Sequence, residues 1–298
     1  MTRTSRHARP SPGRRIALLA LTLFAPSAAA LEFSPGGYDP LPKDSNLAML
    51  YFQQADRDSL YRQGRRVDGA GLDSTVAIFR YIRGVALSER TVFEPQIIVP
   101  YGRLTGTGST RALGSGHGLG DIAVATVFVH RLDEQGRNTI GIGPFLYLPT
   151  GRYSPGTGLN VGENRWRALL QIAYTHRFSD TWALDVGADA SKASRNKEWG
   201  PQRATLKEQT RFEYQAHLRY QMDKATMFAL TLGQVEGAAT NVDGIARDDR
   251  RQTTYTRLTL TRMMASGFQL QAQLGRDLRV REGFAERARF NMRLAWLF

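Results

Sequence analysis

The sequence predicts an all-β protein: a closed antiparallel transmembrane β-barrel of about 12 strands, with ten and fourteen as the neighbouring counts. Three observations carry this. Segments of alternating apolar and polar residues recur along the chain, the connections between them alternate in length, and the chain closes on an amphipathic strand ending Leu294-Ala295-Trp296-Leu297-Phe298. Hydrophobic residues make up 42% and the mean hydropathy is −0.37, values of a soluble protein. A barrel resolves that, because every second side chain meets lipid and the average stays ordinary while the alternation carries the signal.

The first element is not part of the barrel. Arg3, Arg6, Arg9, Arg14 and Arg15 precede a short apolar run, Ile16 to Phe24, and Ala28-Ala29-Ala30 supplies small residues for cleavage. This reads as a secretory signal peptide over residues 1–30, too short in its apolar run to be a spanning helix. Of 40 basic residues five lie in that leader, which leaves 35 against 27 acidic ones. Much of the basicity is therefore targeting, and no nucleic-acid partner is expected. There are no cysteines, so disulfides and thiolate metal sites are excluded. Residues 31–45 are expected to form a periplasmic or plug-like segment. It is too small for the plug of an energised transporter yet long enough to fold into the periplasmic mouth, and residues 46–298 form the barrel.

The strands follow in order: Leu47–Gln54, Leu72–Arg83, Val92–Tyr101, Asp121–Leu132, Asn138–Leu148, Arg165–Phe178, Trp182–Ser191, Arg211–Tyr220, Thr226–Gln234, Thr253–Met263, Phe268–Asp277 and Arg289–Phe298. In the eighth, Phe212, Tyr214, Ala216, Leu218 and Tyr220 face outward while Arg211, Glu213, Gln215, His217 and Arg219 face inward. The eleventh sets Phe268, Leu270, Ala272 and Leu274 outside and Gln269, Gln271 and Gln273 inside. Odd-numbered connections are mostly long, such as 55–71, 102–120 and 235–252. Even-numbered ones are mostly tight, such as Ser179-Asp180-Thr181 and Ala265-Ser266-Gly267. Short periplasmic turns opposite long extracellular loops are the membrane-barrel pattern. A soluble sandwich shares the alternation, but gives no reason to place Trp166, Trp182, Trp296, Phe178, Tyr220 and Phe268 near strand ends, where aromatics suit the headgroup layer. The Gly-rich stretch Gly114–Gly120 lacks the Gly-Lys-Ser/Thr and helix of a phosphate loop and reads as a flexible extracellular loop.

Two resemblances add to this. The last strand, with Phe290, Trp296 and the final Phe298, resembles the assembly signal of bacterial outer-membrane barrels, which implies recognition by the barrel-assembly machinery. Phe93-Glu94-Pro95-Gln96, Gly116-His117-Gly118-Leu119-Gly120-Asp121, Gly141-Ile142-Gly143-Pro144 with Leu148-Pro149-Thr150-Gly151, and Gly162-Glu163-Asn164-Arg165-Trp166 resemble the outer-membrane transporters of the MetA-pathway phenol-degradation family. That resemblance implies an outer-membrane barrel taking part in the passive passage of small, often aromatic, compounds. Outer-membrane lipids, lipopolysaccharide and a small-molecule solute are the expected partners. The chain is expected to be a monomer, with no cofactor and no metal.

The candidate solute pathway is the inward charged set: Glu94, Arg167, Asp185, Asp189, Arg211, Glu213, His217, Arg219, Arg257 and Arg293. These residues either set selectivity at a constriction from strands six, seven, eight and twelve or cross-link a filled lumen. Enzyme chemistry is the competing class. A lipid hydrolase needs Ser and His in contact, and His176 with Ser179 is the available pair, placed at the periplasmic rather than the outer face. A structural or adhesive barrel with a filled lumen is the third reading.

Overall fold

The structure, a computed structural model, describes residues 32–264 and 267–298. The leader expected over 1–30, Leu31 of the expected N-terminal segment, and Ala265-Ser266 of the predicted turn lie outside the described residues.

Twelve long strands alternate direction and close on themselves: β1 (Asn46–Asp56), β2 (Ala70–Arg83), β3 (Thr91–Gly108), β4 (Ala123–Arg131), β5 (Asn138–Tyr147), β6 (Arg167–Arg177), β7 (Trp182–Ala193), β8 (Arg211–Gln221), β9 (Thr226–Gly237), β10 (Arg251–Met263), β11 (Phe268–Val280) and β12 (Ala288–Leu297). Each pairs antiparallel with its sequence neighbours, and β1 pairs with β12 in continuous register from Leu47↔Leu297 to Asp56↔Ala288. The seam is reciprocal. Asn46 N–H donates to the Phe298 carbonyl at 2.7 Å and Phe298 N–H to the Asn46 carbonyl at 3.0 Å. Closure leaves no strand edge to satisfy, the requirement for backbone in hydrocarbon.

The alternation sorts side chains as the sequence predicts. Leu50, Phe79, Ile142, Leu170, Tyr214, Leu230, Leu260, Leu270 and Leu294 are exposed on the outer surface, while Arg257, Asp185 and His217 on the inner one are at most 2% exposed. At the periplasmic rim Trp182 meets Tyr220 with ring centroids 4.8 Å apart, and Phe268, Trp296 and Phe298 stack in sequence at 5.8 and 4.2 Å. Such a girdle seats the barrel at headgroup depth.

The extracellular side departs from the sequence reading. β3 runs to Gly108 rather than Tyr101, because β2 pairs with it as far as Ala70↔Gly108 and Ser115–Leu119 folds back onto Tyr101–Thr105 along its other edge. The Gly114–Gly120 stretch is thus mostly a strand and not a flexible loop. Other loop segments also form small sheets above the bore. Asn196–Trp199, Ala204–Glu208, Thr240–Val242 and Ile245–Ala246 make one, and Gly283–Ala285, Ser59–Arg62 and Arg65–Val67 another. Loop strands of two to five residues are too short for period-two alternation to announce them.

Candidate functional site

Glu32 to Ser45 does not stay outside. This strap climbs from the periplasmic start of β1 into the bore. Leu41 N–H donates to Glu94 Oε1 at 3.1 Å, Tyr38 hydroxyl to Gln171 Oε1 at 2.8 Å, and Gly36 N–H to Asp185 Oδ2 at 2.9 Å. Asp39 is the latch: it accepts from Arg219 Nη1 at 2.7 Å and Nη2 at 3.2 Å and pairs with Arg177 at 2.7 Å. The Phe33 ring stands edge-on to His217 at 4.4 Å. Deepest in, Glu32 pairs with Arg289 at 2.9 Å and Arg257 at 3.5 Å.

The barrel wall is cut to receive these rings. A Cβ added at Gly141 would overlap the Tyr38 ring, and one at Gly187 the Phe33 ring. With Phe33 and Tyr38 in place, Ile98, Val127, Phe145, Leu169 and Ala173 of β3 to β6 become a dry cluster. A membrane barrel therefore contains a conventional hydrophobic core on one side of its lumen.

The predicted pathway residues fall into four groups. Glu94, Asp185, His217 and Arg219 hold the strap; Asp185 also accepts from Thr175 Oγ1 at 2.8 Å and pairs with Arg219 at 2.9 Å, and His217 Nδ1 lies 2.8 Å from Thr231 Oγ1. Asp189, Arg211 and Glu213 are buried beside it, with Glu213 accepting from Tyr255 hydroxyl at 2.7 Å and Asp189 from Gln171 Nε2 at 3.4 Å. Arg167 and Arg257 belong to ion-pair clusters towards the extracellular side. Arg293 stands on the unfilled wall, its Nη2 donating to Gln269 Oε1. Arg177, Asp185 and Arg219 of β6 to β8 thus grip a peptide segment, and the remaining charges of these strands pair with one another or with the loops rather than ring an open bore.

Free space lies on the opposite wall. A cavity of about 420 Å³ runs beside the strap, mostly against the periplasmic halves of β1, β2 and β9 to β12, where Met49, Met227, Met263, Leu297, Arg80 and Arg293 line it, and it also touches Gln96, Val127, Phe145, Gln171, Arg177 and Gln221 around the strap. A second of about 70 Å³ continues inward among Gln53, Gln271, Gln273 and Asn291. The two share Phe33, Ser34, Tyr51 and Arg293 at their border. The inner wall is an amide and hydroxyl lattice: Gln271 Nε2 donates to Thr261 Oγ1 at 3.1 Å, Gln273 Nε2 to Thr259 Oγ1 at 3.0 Å, and Asn291 Nδ2 to Gln273 Oε1 at 2.6 Å.

Two clusters clamp the extracellular side. Glu163 takes Arg165 at 2.8 Å and Arg167 at 2.7 Å, and Glu208 pairs with both guanidiniums as well. Burial favours the neutral acid at Glu163, but Arg167 and Arg165 outweigh it and hold its carboxyl at about 2. Glu286 reaches in from the last loop to Arg57 at 2.6 Å and Arg257 at 3.0 Å. Burial is again outweighed, here by Arg289, Arg57 and Arg257, and its carboxyl also lies at about 2. Asp121, one of the turn residues singled out in the sequence, accepts from Gly151 N–H at 2.9 Å and Glu163 N–H at 2.8 Å and so ties the β3–β4 connection to both ends of the β5–β6 loop; its burial pushes its carboxyl up.

His176 and Ser179 do not meet as a catalytic pair. His176 Nδ1 lies 2.7 Å from Asn138 Oδ1, and Ser179 Oγ accepts from Thr181 and Trp182 N–H at 3.2 and 3.1 Å as a turn cap. No group of three or more His, Cys, Asp or Glu able to hold a metal occurs among the described residues.

Comparison with known proteins agrees with this architecture. The model of the family described as "Putative MetA-pathway of phenol degradation" matches residues 55–294. The chain belongs to this family. It is similar to the COG4313 outer membrane channel from Pseudomonas putida F1, with 36% identity over 90% of this chain and 100% of that one and a TM-score of 0.88. It is also similar, in fold alone, to the β domain of the Bordetella autotransporter Brka, at 11% identity, 86% and 100% coverage and a TM-score of 0.51. No functionally curated protein matches the sequence. The protein is an outer-membrane β-barrel.

The sequence reading missed Phe33, Tyr38 and Asp39 of the strap, the clamp acids Glu208 and Glu286, and Arg80. The available signal was the run of glycines at inward positions, Gly141, Gly143 and Gly187, because a lumen-facing glycine in a strand marks close approach by something else.

Proposed function

We propose that the protein is a passive channel for small, partly apolar solutes, which cross the outer membrane along the open wall of the lumen. The abutting cavities between the strap and β1, β2 and β9 to β12 carry this reading, since a barrel built to be solid would fill both sides alike. The similar P. putida protein is an outer membrane channel, and the family is described by a phenol-degradation pathway, which favours aromatic compounds as solutes. Residues 32–45 act as a tethered stopper. The leader over 1–30 directs export, and the strand with Phe290, Trp296 and Phe298 engages the assembly machinery. The finished barrel works as a monomer among phospholipid and lipopolysaccharide. Covalent chemistry has no part in this reading.

Liposome swelling tests it. Reconstituted protein should admit aromatic acids and neutral aromatics faster than sugars of similar mass, and removal of the strap residues 32–44 with the leader retained should raise all rates. Liposomes that stay impermeable to every solute, strap present or removed, would overturn it.

A further inference from the structure

Buried arginines in this lumen are mostly neutralised by carboxylates: Arg57, Arg165, Arg167, Arg211, Arg219, Arg257 and Arg289 all have an acid within 4 Å. The half-buried Arg80 and Arg293 differ. Arg80 donates from Nε at 2.9 Å, and from Nη2, to the amide oxygen of Gln96, and Arg293 donates to that of Gln269; neither has a carboxylate within salt-bridge distance among the described residues. Both line the 420 Å³ cavity, and Arg293 Nε has no hydrogen-bond acceptor among the described residues. Neutral amides orient a guanidinium without cancelling its charge. The cavity also holds Arg177 and Arg219, which share Asp39, and Glu94, which takes the strap's Leu41 N–H; with Asp185 behind Arg219, four cations face three acids.

Between these two arginines lies an apolar floor. In the sheet register Met49 of β1 is opposite Arg80 on one side and Ala295 on the other, and Tyr51 is opposite Arg293. Met49, Ile82 and Ala295 form a buried cluster with Leu47 and Tyr51 against it, and Tyr51 hydroxyl donates to Met49 Sδ at 3.2 Å. The Arg293 guanidinium sits 6.0 Å from the Tyr51 ring centroid. β2 and β12 flank β1, so their backbones stand about 10 Å apart, two strand spacings.

We infer that this cavity is a binding seat for an aromatic carboxylate, whose ring lies on Met49 and Tyr51 and whose carboxylate is taken by the Arg293 guanidinium, with Arg80 adding positive charge from the far side of the floor. A thioether and a phenol ring give an aromatic solute favourable contact. A guanidinium in a partly dry site binds carboxylate through paired N–H donors. The seat rests on the channel reading and narrows it, since it makes the periplasmic end of the path selective for anions with an aromatic body.

Benzoate is the probe, with benzyl alcohol as its uncharged counterpart and acetate as its ring-less one. Calorimetric titration of the purified full-length barrel in detergent should show saturable benzoate binding, with benzyl alcohol and acetate each weaker by about tenfold or more. The double variant Arg80→Gln with Arg293→Gln should lose benzoate binding while keeping the residual benzyl alcohol affinity. In the unmodified chain, which does not depend on variant folding, rising salt should weaken benzoate and leave benzyl alcohol unchanged. Absence of saturable benzoate binding, equal affinity for benzoate and benzyl alcohol, or salt-independent benzoate binding would overturn the seat. Liposome swelling read on the same preparation separates the two readings. Permeation without benzoate binding removes the seat and leaves the conduit, and binding without permeation of any solute removes the conduit.

Discussion

Across the bore from each other, β3 to β8 present glycines and branched apolar side chains to the strap's rings, whereas β9 to β12 with β1 present amides, hydroxyls and methionines, with Arg257 and Arg289 paired at their extracellular end. The first wall accepts two aromatic rings of the strap and becomes solid. The second accepts nothing of the kind, bonds its polar groups to one another, and keeps its space. The difference teaches that a twelve-stranded barrel, intermediate between filled and open sizes, can be both at once. Which side is closed is decided by where the wall leaves room for a foreign ring.

The harshest way to break that asymmetry is to deny the rings their seats. Gly141→Val with Gly187→Val should expel the strap, at about 1–3 kcal/mol of overpacking per site, and make both sides of the bore open. Liposome swelling should rise, and residues 32–45 should become cleavable by added protease. A swelling rate equal to that of the unmodified protein would mean the strap does not obstruct passage. Next in size, Asp39→Ala leaves the buried Arg219 with Asp185 alone and removes the strap's side of that pairing, while the more exposed Arg177 is free to hydrate. The strap should be held more loosely by about 2–3 kcal/mol, read as faster amide exchange over Gly36 to Leu41 with the barrel itself unchanged.

A smaller effect concerns the clamps above the bore. Glu163 and Glu286 have carboxyls depressed from an ordinary 4.5 to about 2, so their pairing contributes fully above pH about 4.5 and fades as the pH falls towards 2. Protease sensitivity of the extracellular loops should therefore be flat at neutral pH and rise below pH about 4.5. Glu163→Gln should cost about 1–3 kcal/mol at neutral pH and remove part of the acid response. A loosening centred near neutrality would assign the clamp to other groups. Least of all, Gln273→Leu on the open wall should change stability by no more than about 1 kcal/mol, because the lattice bonds it breaks are worth little net. It should nevertheless slow hydroxylated solutes relative to apolar ones of the same size in the swelling assay.

The barrel was legible because period-two alternation is imposed by lipid on one side and water on the other, and it reaches every strand from Leu47 to Phe298. The lumen was legible by type but not by partner. Asp185 and Arg219 face inward as their parity dictates, yet nothing in parity says that Asp39, more than a hundred residues away in sequence, would lie against Arg219. The strap was invisible as structure because Glu32 to Ser45 has no periodicity of its own, and its conformation is dictated by the wall it meets. The short loop strands were unreadable for a related reason: Ser115–Leu119 is a strand because β3 offers it an edge, and its glycines argue locally for a loop.

The strap is one covalent stretch with β1, and this fixes how it behaves after leaving its seat. A free peptide with the same contacts would be lost by dilution, whereas a tethered one returns at an effective concentration of the order of millimolar for a short linker. Unseating and reseating are therefore unimolecular events, indifferent to how many copies the membrane holds. A strap once unseated would reset on its own pore, with no neighbour or energy source required.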